Sequence, residues 1–483
     1  MSNPDHPITT HSNAPAGPIA PADGSRSFTA RILGETFRRH GARLGTAWIA
    51  ILVLGAVFAP WLANSHPILM KDANDQWSSP LLRHLTLTDV TLLVVFFSTA
   101  WTMLMRRAPV STRLLYVVSM GVITVLMSKW PTLPATLRQY AKTDLAAGLE
   151  PWCSAPRSYM ITGLLALLGL PALSYLLFRM KQSTRFARVF ALAWYLVVCV
   201  LLIVLPVRPP QAIVYSQYRE AKAVGEITFA LHTPIPFAPM DYQRDVDNAS
   251  LKAPSLTHWL GTETNGADLL SRMIHASRVA LAIGLISTGI ALIIGVFLGS
   301  LMGYFAGTID MLGMRLVEII EAIPTLFLLI IFVSFFERNL YFMMVIIGMT
   351  GWTGYCRFIR AEYLRLREQD FIQAARACGL SIWSILFRHM LPNGVGPVLV
   401  SASFGVASAI LAETTLSFLG LGLVDEPSWG EMLNQALGIG GTFHWWLATF
   451  PGLAIFLTVF GYNLVGEALR DAIDPHTVRA TTG

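Results

Sequence analysis

A chain of 483 residues in which 54% are hydrophobic and only 13% charged is excluded from the ordinary soluble class, where roughly a quarter of residues carry charge. The formal net charge of +6 comes from Arg and Lys gathered beside apolar runs, a membrane pattern, and no basic patch interleaved with aromatics points to nucleic acid. The four cysteines form no CxxC pair, the eleven histidines no HExxH, and no GxxxxGK(S/T) loop occurs. A disulfide scaffold, a metal site and ATP binding by this chain are therefore not expected.

Residues 1–45 open on a stretch rich in Pro, Ala, Ser and His without an apolar run, and are expected to be disordered and cytoplasmic. A signal peptide is not expected, because the first apolar stretch comes late and lacks a small-residue cleavage site. Arg38, Arg39 and Arg43 precede a first span at 46–62, which puts the N-terminus inside and Trp61 at the outer interface. An inserted block over 63–206 carries four more apolar runs, at 88–105, 113–130, 159–178 and 188–206. Arg106, Arg107 and Arg113 mark one inner loop; Arg179, Lys181, Arg185 and Arg188 mark another. Trp77, Trp130 and Trp152 fall on the outer side. An even number of added spans leaves the downstream topology unchanged. That suits structural padding, with a regulatory or partner-binding role as the alternative.

Residues 207–278 are polar and expected to be external, with a Pro-rich middle, LHTPIPFAP. They end in HWLGTETNGADLLSRMIHASRVALAIGL, read either as an interfacial amphipathic helix holding the next helices in place or as a substrate-contacting segment. A core over 279–470 then contributes five spans, at 279–303, 316–336, 340–356, 395–416 and 446–466, followed by a cytoplasmic tail at 471–483. The fold class is an all-α polytopic membrane protein of about ten transmembrane helices. Gly295, Gly299, Gly303 and Gly307 recur every fourth residue, a ladder that lets another helix backbone come close. In the inner loop GTIDMLGMRLVEIIEAIPTL, Glu318 and Glu321 share a helical face and Arg315 lies one turn before Glu318. The choice there is between structural pairing and gating or substrate contact.

The stretch Arg357–Asn393 is too polar to enter the bilayer and reads as two short helices joined by a turn. Asp370 can cap the first, Gly379 can end it in the left-handed conformation, and Ser381 can cap a second that stops before Pro392. Phe371, Ala374, Ala375 and Cys378 form one small, weakly apolar face, better suited to docking than to chemistry. Further on, Glu413 lies deep in ILAETTLSFLGLG, either facing a translocation path or making a buried hydrogen bond between helices.

QAARACGLSIWSILFRHMLPN resembles the EAA loop of ABC-transporter permeases, with Ala374, Ala375, Gly379, Leu391 and Pro392 in the family's places. Gln373 stands where Glu is usual, keeping the length and the acceptor oxygen but not the charge. The segment LGTETNGADLLSR is similar to the one preceding the core in oligopeptide- and dipeptide-type permeases: Gly261, Thr262, Gly266, Asp268, Ser271 and Arg272 match, while Glu263, Asn265 and Ala267 depart. Asp310, Met314, Arg315 and Pro324, then PSWG, Trp445–Trp446, PGLAI and LRDAIDP, extend the likeness over about 250–478, plus the first span, and leave the inserted four-helix block outside it.

The resemblance implies a permease subunit of a bacterial ABC importer, multi-pass in the cytoplasmic membrane with both termini inside. It implies two ATPase subunits that hold ATP and Mg, a second homologous permease and an external substrate-binding protein as partners. The loop at 357–393, through Asp370, Gln373, Ala374, Ala375, Gly379, Leu391 and Pro392, would pass ATPase closure to the core. Transport would then proceed by alternating access, with no covalent chemistry in this chain. Peptides are the implied substrates; nickel complexes, opines and glutathione are alternatives within the same type. A secondary transporter would need internal inverted repeats and coupling acids, and a membrane enzyme would need a metal or nucleophile constellation. The sequence displays neither.

Overall fold

The computed structural model describes residues 34–73, 75–104, 110–129, 194, 195, 198, 215–336, 338–423, 426–437 and 442–473. The run expected at 159–178, that at 188–206 apart from residues 194, 195 and 198, the start of the N-terminal segment, and most of the tail lie outside the described residues.

The first helix, α1 (His40–Leu62), begins before the expected boundary at residue 46. A basic side chain does not end a helix, and Arg43 continues the turn that the apolar run begins, so hydropathy alone set the boundary late. α1 lies along the last helix, α13 (Trp445–Ile473). Backbones meet there: a Cβ on Gly45 would stand 2.5 Å from the Gly461 carbonyl oxygen. Trp48 donates to the Thr458 hydroxyl at 3.2 Å, and Arg39 pairs with Asp471 at the far end.

Among the described residues the chain is mostly helical, as expected, with one small sheet in addition. β1 (Leu69–Asp72) pairs antiparallel with β2 (Trp77–Ser78) on one edge and with β3 (Ile227–Leu231) on the other, with Leu69 opposite Leu231 and Asp72 opposite Ile227. Strands of two to five residues are too short to display a period-two pattern, which is why the sheet was missed. It unites the stretch after α1 with the expected external segment into one module. α4 (Gln217–Val224) carries Arg219, which pairs with Asp241 and Asp245 at 2.7 Å each. Ser65 donates to Asp241 at 2.6 Å, and the His66 and His84 rings stack at 3.9 Å.

From the inserted block, α2 (Leu87–Leu104) and α3 (Val110–Lys129) are described, and they pack on each other. Asp89 in the first turn of α2 accepts from the Thr86 amide and hydroxyl at 2.7 Å. Its second oxygen receives Arg278 at 2.6 Å, whose Nε also donates to the Ala56 carbonyl at 2.6 Å. One guanidinium thus joins α2, α1 and the core.

The core opens with α5 (Leu269–Phe305), 37 residues long. At 1.5 Å per residue it spans about 55 Å, against roughly 30 Å of hydrocarbon; it starts ten residues before the expected 279 and is longer than one upright crossing needs. The span expected at 316–336 is instead two helices, α6 (Gly307–Glu321) and α7 (Thr325–Phe335), bent by 80°. Pro324 sits at the break, where its missing N–H and its ring prevent a continuous helix. The next pair, α8 (Leu340–Thr350) and α9 (Trp352–Leu366), bends by 41° at Gly351. α9 runs ten residues past the expected end at 356, because polarity rises there while helix propensity does not fall. After it come α10 (Asp370–Ala377), a helical tract Ile382–Gly394, α11 (Gly396–Leu416) and α12 (Trp429–Gln435).

Among the described residues, four helices are long and apolar enough to cross a membrane: α1, α5, α11 with its continuation to Leu421, and α13. The bent pairs bring the number to six if each counts as one span. That count replaces, for the described residues, the simple succession of straight spans. Leu52 and Ala56 of α1, Ala276 and Ala280 of α5, Val406 and Ile410 of α11, and Leu447 and Tyr462 of α13 form one packed core. A second, around Tyr355, Ile359 and Tyr363 of α9, reaches into α10 and the tract after it.

Candidate coupling loop and transport core

α10 starts one residue earlier than a cap at Asp370 would have it. Gln369 is the N-cap, in extended conformation, and Asp370 makes no capping hydrogen bond with its side chain. The carboxylate already lies inside the first turn, where it complements the helix dipole rather than a single amide. The C-terminus matches the expectation in detail. Leu380 N–H donates to Ala375 O at 3.2 Å and Gly379 N–H to Arg376 O at 2.9 Å, the paired bonds of a Schellman stop. Gly379 has φ +71°, and a Cβ there would meet nothing within 4 Å. Backbone conformation, not crowding, demands glycine at this turn.

Ser381 accepts from the Ser384 amide at 3.4 Å and opens the following helix. That helix does not stop before Pro392. A wide π turn, Ile385–Met390, carries it to a short helical segment, Leu391–Gly394, in whose first turn Pro392 is the second residue. Proline is tolerated in a first turn because its missing N–H needs no partner there. Leu391 and Pro392 thus belong to a helix rather than ending one.

The four residues of the expected face divide. Ala375 turns inward, together with Ile372 from outside that face, against the cluster containing Tyr363, Leu386 and Met390. Phe371, Ala374 and Cys378 remain exposed, at i, i+3 and i+7. Gln373 uses its amide as a donor, to Arg367 O at 3.0 Å; the sequence had suggested only its acceptor oxygen. Three contacts tie the loop to the spans. Tyr363 donates to Leu386 O at 2.8 Å, Arg376 lies 4.8 Å over the Tyr304 ring, and Trp383 stacks between Phe387 and Phe297. Trp383, Tyr304 and Phe297 carry no motif, so sequence spacing gave no sign of them.

The glycine ladder also divides. A Cβ on Gly295, Gly299 or Gly303 would come within 2.5–2.8 Å of α9 backbone oxygens, those of Trp352, Cys356 and Arg360 in turn. Gly307 packs on nothing; with φ +57° beside Ala306 at φ +51°, it forms the joint between α5 and α6. Across that joint α6 is laced to α9 by acids. Asp310 pairs with Arg360, with one bond at 2.6 Å, and Glu321 pairs with Arg357. Glu318 pairs with Arg315 at 2.6 Å on the exposed side of α6. Glu413 is buried and accepts from Ser417 and Ser428 at 2.6 Å each, joining α11 to the cap of α12.

Of the stretch 258–285, the part up to Asp268 is a tight loop, in which Thr262 bridges back to Asp268 over Gly266, and the part from Leu269 on is the start of α5. Asp268 caps α5 through the Ser271 amide at 2.9 Å and also holds His258 at 2.9 Å. Arg272 pairs with Glu263 and Glu431 at 2.8 Å each, and Gln435 donates to Glu263 at 3.2 Å. Burial pushes the Glu263 carboxyl up to about 7, with Arg272 opposing the shift. Trp446 donates to Thr262 O at 3.2 Å. Matched residues of this segment, Thr262, Asp268 and Arg272, together with Glu263, which departs from the pattern, therefore build a clamp between α5, α12 and α13. Glu431 and Gln435, its distant members, had no sequence signal.

Residues 295–479 match the family described as "Binding-protein-dependent transport system inner membrane component". The chain is 37% identical over 243 residues to the oligopeptide transport system permease protein OppC of Haemophilus influenzae, covering 50% of this chain and 78% of that one. It is 36% identical over 244 residues to the dipeptide transport system permease protein DppC of Alkalihalophilus pseudofirmus, covering 50% and 80%. Similarity to the glutathione transport system permease protein GsiD of Pectobacterium atrosepticum is 37% over 239 residues, covering 49% and 79%. A structure of the MetNI methionine ABC transporter matches 42% of this chain and 97% of its own, at 16% identity and a TM-score of 0.36.

Proposed function

Because the chain belongs to the inner-membrane components of binding-protein-dependent transport systems, of the oligopeptide and dipeptide permease type, we propose that it is one of two permeases in an ATP-driven importer of peptides. Two separate ATPases supply ATP hydrolysis, with Mg, and an external binding protein delivers the substrate. The exposed face Phe371–Ala374–Cys378 supports this reading most directly. It is small enough to enter a groove on a partner, and it stands on a turn fixed by Gly379 and braced by Tyr363 and Trp383 against α9 and α5. Closure of the ATPase pair moves that brace, and the bent pairs α6/α7 and α8/α9 give the core joints at which to respond. ATP drives the switch because, through the partner, it binds one state more tightly than the other. Both termini lie in the cytoplasm, the sheet module lies outside, and the inserted helices act as structural padding around the core. The relative named for glutathione carries a peptide-like solute by name, so substrates of that size stay within the proposal.

Mass spectrometry of what co-purifies with the tagged chain in mild detergent tests the assembly: a Walker-motif ATPase and a second permease are expected. Recovery of the chain alone across several gentle detergents would point to a secondary transporter. Coupling is tested with Gly379→Arg and with Ala374→Asp, which places a charge on the exposed face. Both variants are expected to insert normally and to lose peptide-stimulated ATP hydrolysis; unchanged stimulation in either would refute docking through this loop.

A further inference from the structure

α6 turns one side to α9 and leaves the other bare. Val317 is its one buried residue, and Asp310 and Glu321, on the same side, pair with Arg360 and Arg357. On the opposite side Ile309, Leu312, Leu316, Ile319 and, in the turn that follows, Ile323 are between 42% and 64% exposed. These residues are spaced 3, 4, 3 and 4 apart, which holds all five within about 80° around the helix. Such a seam is how one helix packs along another. Arg315 and Glu318 stand on one flank of it, paired with each other at 2.6 Å, with side chains 72% and 46% exposed.

We propose that this seam is the surface on which the second permease docks, through a matching helix laid antiparallel to α6. This rests on the importer reading above. Lipid suits the face poorly. A helix lying on a bilayer carries cations beside its apolar side, and the inner leaflet is negative; α6 carries Asp310, Glu318 and Glu321 against Arg315 alone. Charge also sets the orientation. With a two-fold axis at the level of Leu316, Arg315 comes within about 1.5 Å, along the helix axis, of the residue in the partner that takes the place of Glu318. An antiparallel pair keeps both on one flank, so each arginine can meet the other helix's acid. A parallel pair would put them on opposite flanks. The same axis sets Ile309 against the place of Ile323 and Leu312 against that of Ile319, an unbroken apolar contact. Since Asp310 and Glu321 tie α6 to α9, whose end carries the coupling loop, the contact links the motions of the two permeases.

The test is photo-crosslinking of the full chain, expressed with its natural partners and held in nanodiscs, with p-benzoylphenylalanine in place of Leu312 or of Ile319. The joined peptides are identified by mass spectrometry. Both positions are expected to capture a second membrane subunit within its stretch equivalent to 307–323, Leu312 its C-terminal half and Ile319 its N-terminal half. Capture of the same half from the same position makes the pair parallel and overturns the proposal. Capture of lipid alone, of the ATPase or of a second copy of this chain overturns it too. Leu316→Ser is expected to lower the amount of second permease recovered per chain at least about fivefold, the effect of one lost interface anchor. Ile293→Ser, at an equally exposed place on α5, is expected to leave that ratio unchanged; equal losses in the two variants count against the seam. If the second permease co-purifies with the unaltered chain but is not captured from α6, this surface alone falls. If no second permease is recovered, the importer reading falls with it.

Discussion

At the scale of single residues, the same amino acid does different work at neighbouring positions. Gly299 lies under the Cys356 carbonyl, whereas Gly289, ten residues earlier on the same helix, faces open space. Gly299→Leu is expected to lower stability by at least about 1–3 kcal/mol, since nothing on the opposing backbone can yield. Gly289→Ala is expected to raise it by up to about 1 kcal/mol by restricting the unfolded chain. Thermal unfolding of the two variants in detergent separates these outcomes. Gln373→Glu removes the donor to Arg367 O, and α10 is expected to loosen by about 1 kcal/mol. Faster amide exchange over 370–377, with uptake retained, is the measurement; unchanged exchange would show the amide contact to be idle. Gly379 was legible in the sequence because a helix stop in left-handed conformation has few residue choices. The second partner of Glu413 was not, because Ser428 lies 15 residues on, across a turn and on another element.

Elements were legible in proportion to their apolar length. Runs near twenty residues identified α1, α5, α11 and α13, while boundaries slipped wherever polar residues continued a helix, as at the start of α1 and the end of α9. The bend at Pro324 left its cause in view, yet its 80° angle is set by packing that no local pattern encodes. The sheet was illegible because its strands are short and β1 and β3 are brought together from some 160 residues apart. That module carries a pH dependence of its own. Burial, aided by the stacked His84, lowers His66 from its ordinary range to about 4, with Asp241 opposing. The unfolded module therefore binds more protons than the folded one between about pH 6.5 and 4. Its stability is full above that window and falls as the pH drops through it. Amide exchange of β1 and β3 is expected to quicken across this range and to lose most of that response in His66→Gln; an equal response in the variant would place the titration elsewhere.

Across the whole molecule, Arg278 joins parts that sequence alone leaves separate. Asp89→Arg is expected to destabilise the described bundle by about 3–5 kcal/mol, the effect of leaving a largely buried charge without its partner. Exchanging both charges, Asp89→Arg with Arg278→Asp, is expected to restore part of this and not all, because the bond from Arg278 Nε to Ala56 O is lost. A double variant no better than the single would make the pair incidental. The distance along the chain between these two residues also imposes an order of events at the ribosome. Asp89 emerges 189 residues before the arginine that neutralises it. Until then the nascent first helices hold an uncompensated acid near the lipid and lack their lock. The inserted block is thus held in suspense, completed only when the first core helix arrives. Stalled chains ending before residue 278 are expected to leave a cysteine placed in α2 open to thiol reagents, and chains ending beyond α5 to shield it.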